Sequence, residues 1–347
     1  MKNQPDRGVC NYGAGVIGRF AAALRQEVGG VRLGQDIEAI HRMRVASRRL
    51  RSALPLFENC YAQKYRLLWR KEIRQVTRAL GAARDTDVQI DRLERCLVDI
   101  PDPHFRPGIR RLILRLSQKR AKLQVNVVQA LDDLEKSQAL DSLEARTAAI
   151  YVEPQPGEPY SSSLYTLAKL AILDSLDRFM SYETYITNPD AVAELHAMRI
   201  ASKQLRYTLE IFGPIYANGL KSALSTVKSA QEMLGDIHDS DVWKAYLPQF
   251  LDKERQRIVR FYGAPGPINL LVPGITYFQE NRLQFRERVY RDYLEAWNNW
   301  KTNAIWETLV ETIDLPTRLV QQQVFYPAIP QLEPQAPVEE NDHSNTD

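Results

Sequence analysis

His41-Arg42-Met43-Arg44-Val45-Ala46-Ser47-Arg48-Arg49-Leu50-Arg51 decides the fold, because the chain repeats it as His196-Ala197-Met198-Arg199-Ile200-Ala201-Ser202-Lys203-Gln204-Leu205-Arg206. At roughly 100° per residue on an α-helix, positions 41, 44, 48 and 51 fall within an arc of about 80°, as do 196, 199, 203 and 206. Each copy presents one histidine and three cations in a line. The opposite side carries Met43, Ala46, Leu50, Ala53, Leu54 and Phe57, answered by Met198, Ala201, Leu205, Thr208, Leu209 and Phe212. That side is predicted to face a core. A solvated face needs only polar side chains of either sign, whereas an unrelieved row of like charges costs its helix roughly a few tenths of a kcal/mol per i,i+4 pair. A cationic row that occurs twice points to a polyanionic ligand.

Outward from the stripe, helical periodicity from about Tyr12 to Val28 gives a first helix, stopped by Gly29-Gly30. The stripe occupies a second helix, about Asp36 to Phe57, which Pro55 kinks or ends. A third, Gln63 to Leu80, is predicted to end at Gly81 in a left-handed cap and adds Lys71, Arg74 and Arg78 as another cationic row. Asp85 then caps a fourth, running to about Ile100. After Pro101, Pro103 and Pro107, a fifth from about Gly108 to Leu140 places Arg111, Arg115, Lys119 and Lys122 near one face.

Residues 151–163, rich in Pro, Gly and Ser, read as a linker between a bundle at 12–150 and a bundle at 164–313. The second set of helices repeats the order of the first: Leu164 to Tyr182, Asp190 to Phe212, Gly219 to Leu234, Asp239 to about Val259, and about Thr276 to Ile313. The offset is 155 residues at the histidines and 154 at Leu80-Gly81 against Leu234-Gly235. No segment shows the period-two pattern of a strand. The expected fold class is therefore all-α, two tandem antiparallel helical bundles that pack their uncovered faces together. The acidic, Pro-rich residues 327–347 are predicted to be disordered.

In 347 residues, 44% apolar content suffices for ordinary cores, and the net charge of +3 says little. Its distribution says more: from Glu38 to Lys122 there are 21 Lys/Arg against 9 Asp/Glu, a surplus of 12. Cys10, Cys60 and Cys96 are odd in number and scattered, without the spacing of a disulfide framework or a zinc site, which fits a reducing compartment. The N-terminus leads into no apolar run and no window reaches a membrane span, so a cytoplasmic protein with no membrane partner is expected. Gly13-Ala14-Gly15-Val16-Ile17-Gly18 matches the dinucleotide fingerprint, but no strand precedes it, and nucleotide binding is not expected.

The pattern His-x-x-Arg-[Val/Ile]-x-x-[Arg/Lys]-x-x-Arg is followed by Leu-Gly-x-x-x-Asp-x-Asp-Val, at Leu80 to Val88 and again at Leu234 to Val242. In this the chain resembles the CHAD family, the conserved-histidine α-helical domains, over about residues 15 to 310. The resemblance implies two helical bundles with internal pseudo-twofold symmetry and a basic surface between them that binds inorganic polyphosphate.

The residues themselves suit that ligand. Arg44, Arg48, Arg51, Arg199 and Arg206 offer planar, permanently charged forks that donate paired hydrogen bonds to phosphate oxygens, with Lys203 as a point charge. Successive members of a stripe rise about 5 Å along the axis, which suits a linear polyanion better than one phosphate. Arg74 and Lys228 occupy matching positions before Leu-Gly, and Arg78, Arg115 and Lys119 extend the basic surface. Isolated cations such as Lys64 and Arg92 read as surface ion pairs. His41 and His196 head the stripes and gain charge below neutral pH; His238, whose counterpart is Arg84, has no assigned role. Asp85, Asp87, Asp239 and Asp241 are candidate ligands for Mg²⁺ or Ca²⁺ carried with the polymer, although capping a helix and pairing with arginine is the preferred reading. No resident cofactor is expected.

The expected function is non-catalytic binding of polyphosphate with targeting to polyphosphate granules, and nucleic acid is not expected as a partner. A polyphosphate or triphosphate phosphohydrolase is the alternative enzyme class. Against it, the sequence lacks the Glu-x-Glu-x-Lys strand signature of triphosphate-tunnel domains, a Walker loop and a His-Asp metal cluster. A nucleic-acid-binding helical protein is the third class, and the stripes contain no aromatic ring on which a base could stack.

Overall fold

The computed structural model describes residues 6–34, 36–155, 159–217 and 219–325, with side-chain surroundings as far as 316. Its regular structure is helical throughout these residues. The first half comprises α1 (Arg7–Gln26), α2 (Val28–Leu33), α3 (Ile37–Leu56), α4 (Gln63–Val98), α5 (Arg106–Lys136) and α6 (Ala139–Ile150). The second comprises α7 (Ser162–Met180), α8 (Val192–Phe212), α9 (Lys221–Tyr262), α10 (Val272–Thr302) and α11 (Ile305–Phe325). The stripes lie on α3 and α8. Asp36 opens α3 by accepting from the Glu38 amide at 2.8 Å, as a short carboxylate does for an orphan amide at a helix start.

Several helix limits differ from the sequence reading. Gly29 and Gly30 do not stop a helix; they lie inside α2, and the left-handed stop is Gly34, at φ 68°. Gly81 and Gly235 do not end helices either. α4 and α9 pass straight through them for 36 and 42 residues, so Asp85 and Asp239 sit in mid-helix and cap nothing. Conversely, the long fifth helix ends at Lys136, where Gln138 turns left-handed at φ 51°, and the final stretch divides at Ala304, φ 52°. Neither turn carries the glycine that would have marked it.

The expected apolar sides are buried. Met43, Leu50, Ala53 and Phe57 on α3 and its exit, and Met198, Leu205, Leu209 and Phe212 on α8, are each at most 1% exposed. In the first half α1 packs on α3 and α6, α3 on α4, and α4 on α5. In the second α7 packs on α8 and α11, α8 on α9, and α9 on α10. Across the middle, counterpart meets counterpart: α1 touches α7, α3 touches α8, and α5 touches α10. The Phe57 and Phe212 rings lie 6.0 Å apart at this junction. Where α5 crosses α10, a Cβ on Gly108 would lie 2.3 Å from the Leu271 carbonyl oxygen, and one on Gly274 1.9 Å from that of Phe105. Only glycine permits that approach.

One apolar cluster runs through both halves from Val16 to Ile313, and a second gathers Leu93, Leu112, Trp243 and Phe278 toward the far ends of α4, α5, α9 and α10. Between these two cores, flanked by α3, α4, α8 and α9, lies the site.

Cys10 and Cys60 form a disulfide, with Cα atoms 5.4 Å apart. This corrects the expectation of unpaired cysteines: 50 residues separate them in sequence, but α1 packs against α3 and brings them together. Cys96 is free. No helix of the described residues is long and apolar enough to cross a membrane. Residues 327–347, expected to be a disordered tail, lie outside the described residues.

Candidate functional site

The two stripes face one cavity of about 840 Å³. α3 contributes His41, Arg44, Arg48 and Arg51, and α8 contributes Arg199 and Lys203. α4 adds Arg84, Asp85 and Arg92, and α9 adds His238 and Asp239. Seven Lys/Arg side chains thus converge there against two carboxylates. The remaining lining includes Tyr207 and Trp243, so the cavity as a whole is not free of aromatic rings, although Arg48 already lies over Tyr207 at 5.9 Å.

The glycines at which two helices were expected to end, Gly81 and Gly235, position two of the arginines. A Cβ on Gly81 would lie 3.9 Å from Arg44 Nε, and one on Gly235 3.7 Å from Arg199 Nε. Each guanidinium therefore rests on the bare backbone of the neighbouring long helix. Any side chain longer than alanine would stand in its place.

Burial dominates the electrostatics. Arg44 and Arg199 are held below the ordinary arginine value chiefly by desolvation, with Asp85 and Asp239 respectively opposing it. Burial and the neighbouring Arg199, Arg48 and Arg44 lower Lys203 to about 7. The imidazoles of His196 and His238 stack with centroids 4.0 Å apart. Burial, then His196 and Arg199, bring His238 down to about 4. Burial and the nearby Arg84 lower His41 as well. Arg199 Nε, Arg92 Nη1 and His196 Nδ1 are buried without a hydrogen-bond partner. Buried polar nitrogens in this state are rare in proteins, and the two guanidinium N–H groups call for an acceptor. A chain of phosphate oxygens would supply several.

Other expected site residues lie elsewhere. Arg206 leaves the cavity to bind Glu210 at 2.8 Å, and Glu210 also accepts from Arg49 at 2.9 Å across the two halves. Arg115 is held at 2.7 Å by Glu254, whose side chain is fully buried and also takes Arg111 and, on its own helix, Arg257; the Arg115 and Arg111 pairs fasten α5 to α9. Lys119 is exposed on α5, and Lys228 is half-buried on α9 outside the cavity lining. His196 reaches the cavity through His238. Arg74 and Arg78 line a separate groove.

The aspartate pairs are split by the helix period. Asp85 and Asp239 face the cavity, with Asp85 accepting from Arg44 at 3.0 Å. Asp87 and Asp241 point to the next helix and pair with Arg120 and Arg286 at 2.7 and 2.6 Å. The expected pairing with arginine is thus present, and the two members of each pair do not converge on one metal. Among the described residues no group of three or more His, Cys, Asp and Glu could hold a metal ion.

Arg84, Arg92 and His238 complete the cavity and were not among the expected site residues. Arg92, read as an isolated surface cation, does lie 3.4 Å from Asp236, but Asp236 belongs to the other half. Arg92 already shares a helix face with Val88 in the expected fourth helix, whereas Arg84 and His238 come onto the cavity-facing side because α4 and α9 run unbroken past Gly81 and Gly235.

Comparison with known proteins follows the same lines. The CHAD domain profile matches residues 15–248. Uncharacterized proteins MT2285 and Rv2226 of two Mycobacterium tuberculosis strains are each 26% identical over 228 residues, 61% of this chain. The matched region is 40% of their length, so this chain corresponds to less than half of either. The crystal structure of the CHAD domain from the plant Ricinus communis superposes with a TM-score of 0.58 at 22% identity, covering 82% of this chain and 91% of that one. PptA from Streptomyces chartreusis gives 0.52 at 17% identity, covering 83% and 99%. At those identities the likeness concerns the fold alone. With its duplicated His-Arg stripes, its helical architecture and a profile match over more than half its length, the chain belongs to the CHAD domain family.

Proposed function

We propose that this chain binds inorganic polyphosphate in the cavity between α3 and α8 and holds it without catalysing its breakdown. One observation carries the reading: seven Lys/Arg side chains from both halves meet two carboxylates in a single cavity, with buried guanidinium nitrogens left unpaired. Family membership supports the choice of polymer, since the CHAD resemblance implies polyphosphate. Binding of this kind is driven by charge and counterion release, so affinity falls steeply with salt. A protein that binds in this way follows its ligand and collects on polyphosphate granules where a cell stores them.

Calorimetric titration with long-chain polyphosphate at several salt concentrations tests the proposal. The triple variant Arg48→Ala, Arg199→Ala, Lys203→Ala is expected to lose most of the affinity and to flatten the salt dependence by about three in slope. An unaltered isotherm would place the binding site elsewhere. Competition with duplex and single-stranded nucleic acid at matched salt separates polyphosphate from other phosphate polymers, and phosphate release in the presence of Mg²⁺ would reveal turnover.

A further inference from the structure

A second basic groove, of about 550 Å³, lies on the first half. It is lined by Arg70, Lys71, Arg74 and Arg78 of α4, with Leu54 and Pro55 from the end of α3. Arg51 and Pro55 line both this groove and the central cavity, which makes the two spaces neighbours across a single arginine. Arg51 feels both sides: burial lowers its pKa, and so do Arg74 in the groove and Arg48 in the cavity.

The groove's cations differ in how far the protein satisfies them. Arg70 lies 3.7 Å from Glu58 and Lys71 3.2 Å from Glu72. Arg74 and Arg78 are exposed and form no ion pair among the described residues. In the second half the positions answering 70, 71, 74 and 78 are Leu224, Ser225, Lys228 and Glu232, which keep one cation of the four. The answering residue of the stripe, Arg206, is bound by Glu210. In the first half Pro55 stands where Glu210 stands, so Arg51 has no such counter-ion.

We infer that the groove of Arg74 and Arg78 is a second phosphate-polymer subsite, reached through Arg51 only by chains long enough to overrun the cavity, so that polyphosphate leaves the protein on the side of its first half. The inference rests on the reading of the cavity as the primary polyphosphate site. It makes length discrimination a property of one face. A short oligophosphate fills the cavity and never meets α4's outer cations, whereas a long one gains them as additional, linked contacts.

Titration of the full chain with tripolyphosphate and with long-chain polyphosphate, at matched ionic strength, tests this. Arg74→Ala with Arg78→Ala is expected to weaken long-chain binding about tenfold, or roughly 0.7 kcal/mol per side chain. It should also reduce the long-chain salt slope by about two and leave tripolyphosphate binding unchanged. Arg74→Glu with Arg78→Glu should deepen the long-chain defect alone. Arg48→Ala with Arg199→Ala, by contrast, weakens both ligands. The inference fails if the groove variants bind the long polymer like the unsubstituted chain, or lose both ligands equally, while the cavity variant behaves as stated. If the unsubstituted chain binds neither ligand, the cavity reading falls and takes the groove with it.

Discussion

Lys203 shares the cavity with Arg44, Arg48 and Arg199, and its lowered pKa has a consequence for stability. A base whose folded pKa lies below its unfolded value binds fewer protons folded than unfolded, so the fold loses stability as pH drops through that interval. For Lys203 the interval runs from 10.5 down to about 7, and for His238 from 6.5 down to about 4. Ligand-free protein is therefore destabilised by Lys203 across the upper interval, and Lys203→Met removes that contribution. Denaturant titrations between pH 7 and pH 10.5 should show a smaller rise of unfolding free energy with pH for the variant; identical slopes would contradict this account. A seated polyanion favours the ammonium, so loading above about pH 7 should take up protons. Gly81 gives a second test at this scale. Gly81→Ala should raise stability by about 0.5–1 kcal/mol through helix propensity, because the added methyl meets Arg44 Nε at an ordinary 3.9 Å. Gly81→Leu should leave the protein folded but displace Arg44 and weaken polyphosphate binding, as thermal melts and calorimetry would show.

Among the elements, α3 and α8 were legible in the sequence because apolar period and charge stripe agree there. The path of α4 and α9 was not. Leu-Gly followed by Asp reads locally as an end and a new beginning, yet Gly81 and Gly235 leave room for arginines arriving from another helix, and a tertiary contact of that kind leaves no local trace. The same misreading hid Arg84 and His238, which stand in mid-helix beside the cavity because the long helices continue, while Arg92 was hidden by its reading as a surface ion pair. Arg115 was misplaced for a different reason: its partner Glu254 is 139 residues away, and no periodicity announces it. Glu254 is held below its ordinary value by the hydrogen bonds of Arg115 and Arg257, against the desolvation that would raise it. Glu254→Gln leaves three arginines without their anion and should cost about 3 kcal/mol. Its melting temperature should fall while the folded variant binds polyphosphate as before, and Arg115→Ala should likewise leave affinity unchanged.

At the scale of the whole molecule, the all-helical architecture was legible and the extent to which the halves merge was not. Sequence suggested two bundles joined by a linker, whereas the main apolar cluster crosses between them through Phe57 and Phe212. The Cys10–Cys60 bond adds a covalent tie between α1 and the turn after α3. Replacing both cysteines with serine should lower the unfolding free energy by about 2–4 kcal/mol. Reductant should reproduce that loss in the native chain and change nothing in the variant, and a native chain indifferent to reductant would exclude the tie as a source of stability.

The shared aromatic junction also sets an order of events during synthesis. Phe57 leaves the ribosome long before Phe212 exists, so the nascent first half carries an uncovered greasy face until α8 has been made. Arg44 and Arg48 meanwhile have no opposing wall. The cavity is accordingly walled in only once α9 has joined α3, α4 and α8, well after its first stripe has been made.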